Sequence, residues 1–103
     1  MFYSYPTRQS VVALSVGAPA LLYTSAVPDN RKGWRVWNPS STISIVIAVV
    51  RRGGTAPTAA EMLAGQADYQ TNPKGSTSDA GGDCDVYAIS VGGALNVYPQ
   101  VLY

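Results

Sequence analysis

Six carboxylates, one thiol and no histidine are all that this chain offers for acid–base or nucleophilic chemistry. The carboxylates are scattered as Asp29, Glu61, Asp68, Asp79, Asp83 and Asp85. Glycoside hydrolysis would need two of them facing each other across a cleft, and nothing in their spacing pairs them. With no histidine and a single cysteine, zinc sites and His-based catalysis are effectively excluded, and so is an internal disulfide. Cys84 stands between Asp83 and Asp85, whose negative charge disfavours a thiolate, so it reads as an inert strand residue and a poor nucleophile. The surrounding "DAGGDCD" sets Asp79, Asp83 and Asp85 around two glycines, and hard oxygen ligands on a flexible turn are what Ca²⁺ requires. The spacing matches no EF-hand loop, and a polar turn leading into a strand accounts for it. The expectation is a chain with no catalytic residues, no cofactor and no bound metal.

A second set of residues could bind without reacting. "PDNRKGWRVWNPSS" carries Arg31, Lys32, Arg35 and both tryptophans. On a strand, successive side chains point to opposite faces, so Trp34, Val36 and Asn38 share one face and Arg35 and Trp37 the other. One tryptophan should then lie in the core and the other at the surface. Arg51 and Arg52, which close the strand "ISIVIAVVRR", would with Arg31, Lys32 and Arg35 make up a basic face. A net charge of +1 and a sequence pI near 7.8, however, give no field to draw the chain to nucleic acid or an anionic membrane. Aromatic residues gather at both ends, as Phe2, Tyr3 and Tyr5, and again as Tyr98 and Tyr103. Exposed tyrosine and tryptophan are common interface residues. The expected partner contacts are therefore Phe2, Tyr3, Tyr5, Arg35, Trp37, Tyr69, Tyr98 and Tyr103.

The elements that must position these residues read as all-β. A chain of 103 residues has room for one domain. We expect an N-terminal aromatic arm over residues 1–9 and a single β-sandwich or jelly-roll-like domain over 10–103. Only 13% of residues are charged, about half the usual share, which leaves a thinly charged surface that favours association. Short β-rich runs alternate with turn formers: "VVALSV", "ALLYTS", "WRVWN" and the strongly β-branched "ISIVIAVVRR", which should be a central strand. That last apolar run is far too short to cross a membrane as a helix, and the N-terminus has no secretory-signal pattern. At "GGTAPTAAEMLAGQ", Thr58 and Glu61 have capping-box spacing and Gly65 suits a C-terminal cap, predicting one short helix at about 57–64. A polar, aperiodic stretch at about 66–83 is expected to be a long surface loop and a natural contact arm, with Tyr69 on it. "VYAISV", "GG" and "ALNVYPQVLY" read as a closing hairpin turned at Gly92 and Gly93, with Pro99 marking an edge position on the last strand.

The order of "SVVALSV", "ALLYTSAVPDNRKG", "WRVWNPSS", "ISIVIAVV" and "DVYAISVGGALNVYPQVLY" resembles that of small virion proteins of tailed bacteriophages. These are β-sandwich or jelly-roll proteins, among them the capsid decoration or cement proteins. The resemblance covers most of Ser10 to Tyr103 and departs between Arg51 and Asp83, at the helix and the stretch after it. It implies a structural virion protein and no enzyme, assembled in the bacterial host cytoplasm and carried on the capsid surface. Such a protein binds the major capsid protein or other virion subunits and copies of itself, without nucleic acid or membrane. The alternative is a carbohydrate-binding β-sandwich module or spike adhesin component, with Trp37, Tyr69 and Tyr87 as stacking residues. A small hydrolase using paired carboxylates is a third reading.

Overall fold

The computed structural model describes residues 6–8, 11–23, 33–80 and 84–102. Nine strands and one helix follow in the order β1 (Pro6–Arg8), β2 (Val12–Leu14), β3 (Ala20–Leu21), β4 (Gly33–Trp37), β5 (Ser44–Arg51), α1 (Ala59–Leu63), β6 (Tyr69–Thr71), β7 (Ser76–Ala80), β8 (Cys84–Val91) and β9 (Leu95–Leu102). They form two antiparallel sheets. One runs β1-β9-β4-β7 with β2 also paired to β9, and the other runs β3-β8-β5-β6.

β1 and β2 lie one after the other along β9, opposite residues 100–102 and 95–97 respectively. Counted as one interrupted strand, they leave eight strands shared four and four between the two sheets, with every connection but β5 to β6 crossing from one sheet to the other, the arrangement of a jelly roll. The expected all-β sandwich with a single short helix is thus the observed fold. Pro99 falls where β1 and β2 part. It faces Val36 of β4 on one side, and on the other side no described residue pairs with it. A residue without an N–H fits that gap, so the edge character read from Pro99 is real although β9 as a whole is an inner strand.

Period-2 patterning builds the core. Trp34 and Val36 of β4 and Val97 and Val101 of β9 face Ile45 and Ile47 of β5 and Val86 and Ala88 of β8. Leu14, Leu22 and Tyr23 join the same cluster, and the Tyr23 hydroxyl donates to the Gln100 carbonyl across the sheets at 3.2 Å. Each fully buried aliphatic side chain of this kind stabilises the fold by roughly 1.5–3 kcal/mol. β5 pairs with β8 along its whole length, from Ser44↔Val91 to Arg51↔Cys84, and with β6 on its other side, so it is the central strand its β-branched sequence predicts.

α1 lies on the β5-to-β6 connection, which begins and ends in the same sheet, and the helix folds back over the outer face of that sheet. There Met62 packs with Ala48 and Ile89 as a second small cluster. The predicted capping box is present. The Thr58 hydroxyl accepts from the Glu61 N–H at 3.1 Å, and the Glu61 carboxylate accepts from the Thr58 N–H at 2.9 Å. These bonds hold the Glu61 carboxyl below its ordinary range.

Two expectations need correction. The stretch at 66–83 is not a long loop, because it contains β6 and β7. β7, "STSDA", is polar on both faces and so carries no hydrophobic period. It is a strand by backbone pairing along the whole of β4, from Gly33↔Ala80 to Trp37↔Ser76. The "GG" segment is not a hairpin turn, because β8 and β9 belong to different sheets. Gly92 supplies its positive φ of +101° to a chain crossing between sheets, a conformation glycine adopts without a Cβ penalty. Strand sequence alone does not reveal whether two consecutive strands pair with each other or each with a third.

Candidate functional site

The outer face of the β1-β9-β4-β7 sheet gathers three of the expected contact residues. Trp37 of β4 stands directly opposite Tyr98 of β9, and Arg35 stands opposite Gln100. On the other flank of β4, Ser76 and Ser78 of β7 face Trp37 and Arg35. The strand period places these side chains outward because Val36, Val97, Pro99 and Val101 are all turned inward and buried. Trp37 keeps 40% of its surface exposed and Tyr98 47%, whereas Trp34 keeps 1%. The predicted division between a core and a surface tryptophan holds.

Tyr69 is placed elsewhere. It faces inward from β6, half-buried, with its ring edge-on to Trp34 at a centroid distance of 5.7 Å and an interplanar angle of 71°. Its hydroxyl donates to the Asp79 carboxylate, and the Thr71 and Thr77 hydroxyls bond beside it. These two contacts tie β6 to β7 and so close one side of the sandwich. Tyr87 points outward from the opposite sheet, across from Leu21 and Ala48. Trp37, Tyr69 and Tyr87 therefore do not share a stacking surface. Phe2, Tyr3, Tyr5 and Tyr103 lie outside the described residues.

The bond to Asp79 is the main reason the Tyr69 phenol sits above its ordinary range, with desolvation and nearby negative groups adding to it. A folded-state value raised above the unfolded one stabilises below the ordinary phenol range near 10 and loses that contribution as pH rises through the native value. In Asp79→Asn, one of the seven phenols should ionise at a lower pH than in the unaltered chain, as read by ultraviolet titration.

The described carboxylates are all engaged in structural bonds. Glu61 caps α1, and the Asp68 carboxylate accepts from the Val49 N–H at 2.7 Å. Asp79 holds Tyr69, and Asp85 accepts from the Gly53 N–H at 3.0 Å. Of the "DAGGDCD" acids, Asp79 sits on β7 and Asp85 on β8 of the other sheet, and Asp83 lies outside the described residues. Among the described residues no three His, Cys, Asp or Glu side chains gather as a metal site. The basic residues are likewise divided. Arg35 is on the outer face of one sheet, Arg51 ends β5 in the other with Arg52 just beyond it, and Arg31 and Lys32 lie outside the described residues.

A second surface was not singled out by the sequence. Beside α1, on the outer face of the β3-β8-β5-β6 sheet, an open groove of about 430 Å³ is lined by Val46, Met62, Leu63, Val91 and neighbouring residues. Leu21, Leu63 and Val91 on this side are exposed. The signal available for Leu21 and Val91 was their outward phase on strands whose inward residues fill the core. No family model, curated protein or solved structure matches this chain.

Proposed function

We propose that this protein is a non-catalytic structural component of a tailed-bacteriophage virion, a capsid-decorating jelly roll that docks on assembled shell subunits. The observation that carries the reading is the apolar outer face of the β3-β8-β5-β6 sheet, where Leu63 and Val91 are exposed at the groove beside α1 and Leu21 is exposed on β3, on a thinly charged protein. Clustered exposed apolar residues mark contact surfaces. The engagement of Glu61, Asp68, Asp79 and Asp85 in structural bonds fits a chain without acid–base work. Jelly rolls serve in viral capsids and in lectins, an analogy of fold alone. A protein that binds the assembled lattice and not its free subunits stabilises the shell by mass action, and contact with further copies of itself strengthens the hold.

Purified particles should then contain the chain in fixed stoichiometry on the capsid surface. Leu21→Glu or Leu63→Glu, both at exposed positions, should lower occupancy by about tenfold or more while leaving the fold intact. Absence of the chain from intact particles ends this reading.

A further inference from the structure

The face on the other side of the sandwich has a different chemistry. Trp37 and Tyr98 stand side by side across two paired strands, with Cβ atoms about 5 Å apart for such a pair. Arg35 lies two residues along β4 on the same face, about 6.8 Å away by the strand rise. Asn96, Gln100 and Ser78 complete the surroundings with amides and a hydroxyl. No described acidic residue faces outward here. Asp79, the nearest in β7, is of the opposite strand phase and holds Tyr69. Arg35 is thus an exposed cation beside two exposed aromatic rings, with no described carboxylate on its own face, and Arg8 of β1 is in register across Gln100 from it.

From this arrangement we propose that the Trp37–Tyr98 face binds a polysaccharide bearing carboxylate groups, a chain that contains uronate rings. A pyranose ring presents a flat C–H face that packs on an aromatic ring, and its equatorial hydroxyls reach sideways to amides and hydroxyls. A guanidinium meets a carboxylate with two parallel hydrogen bonds. A nucleic acid carries a phosphate on every nucleotide and needs a track of cations, and a chain of net charge +1 has few to supply it. This inference stands apart from capsid docking, which uses the opposite face.

The test is a titration of the full chain, followed by tryptophan fluorescence, with a hyaluronate hexasaccharide. A neutral N-acetylchitohexaose, an oligothymidylate and a glutamate-rich peptide run in parallel. The uronate chain should bind more tightly than the other three. Arg35→Gln should weaken uronate binding about tenfold and leave the weak binding of the neutral chain unchanged, the signature of one lost charge-assisted pair. Trp37→Ala and Tyr98→Ala should abolish binding of both sugars, read by calorimetry, with the thermal midpoint preserved. The proposal is overturned if the native chain does not bind hyaluronate, if Arg35→Gln leaves its affinity unchanged, if binding survives both aromatic substitutions, or if oligothymidylate or the acidic peptide binds more tightly.

Discussion

Asn38→Ala should lower the stability of this protein by about 3 kcal/mol, a large share of the roughly 5–15 kcal/mol that holds a domain folded. Asn38 follows β4 and is fully buried. Its side-chain amide donates to the carbonyls of Ile43 at 2.8 Å, Thr71 at 3.2 Å and Asn72 at 3.2 Å, and its carbonyl oxygen accepts from the Ser40 N–H at 3.0 Å. One side chain thereby joins the turn after β4, the start of β5 and the end of β6, and so couples the two sheets at one end. Its two amide hydrogens serve three acceptors, so at least one is shared. Alanine would strip these buried groups of their partners and leave a cavity that water fills imperfectly, and each stranded group costs about 1–3 kcal/mol. The denaturation midpoint should fall with the slope unchanged, since the unfolded state is little altered. Asn38→Asp has nearly the same shape but sets a carboxylate against three carbonyl oxygens, which raises its pKa in the folded state. Its protonated form can still donate one hydrogen bond. Asn38→Asp should therefore be least harmful below the ordinary aspartate range near 4 and increasingly destabilising as pH rises through the raised native value. Asn38→Ala should show the same deficit at both ends. Equal loss in the two variants at every pH would mean that the amide donors are not what holds this corner.

The parts of the fold legible in the sequence are those set by local periodicity. Alternation in "WRVWN" set Trp34, Val36 and Asn38 on one face and Arg35 and Trp37 on the other, and the first of these is the face the structure buries, because a strand with one face covered has only one consistent phase. Thr58 and Glu61 announced α1 because a capping box is made within four residues. What escaped was non-local. β7 is a strand because β4 offers it an edge, and nothing in "STSDA" records that. The crossing at Gly92 and Gly93 depends on where β4 and β5 lie, not on the two glycines themselves. Trp37 and Tyr98 were each expected at a contact surface, but their pairing arises from the register of β9 on β4. Asn38 is the sharpest case. Its place on the face of Trp34 and Val36 followed from strand phase, yet its acceptors lie on β6 and in two turns, so its role as a coupling point has no one-dimensional signature.

Trp34→Ala should cost about 3–5 kcal/mol, the range for deleting a large buried aromatic, and rival Asn38→Ala as the most damaging single change. Trp34 is the largest side chain in the core, 1% exposed, with Asp79 of β7 and Val101 of β9 as its strand neighbours. Its ring receives the edge of Tyr69 from the opposite sheet, so the loss extends beyond its own volume. Without that ring Tyr69 has no wall to lean on, and its bond to Asp79 should loosen. The Tyr69 phenol would then return toward its ordinary range even where the variant remains folded. Trp34→Phe keeps an aromatic partner for Tyr69 and should lose less stability and less of the phenol shift. Trp37→Ala, on the opposite face of the same strand at an exposed position, should change stability by no more than about 0.5 kcal/mol. The two tryptophans also report separately. The fluorescence left in Trp37→Ala comes from Trp34 and should be blue-shifted and shielded from acrylamide, while that left in Trp34→Phe should be red-shifted and readily quenched. A shielded Trp37 in the isolated chain would mean that the outer face of the β4–β9 pair is already covered, and with it the proposed sugar platform.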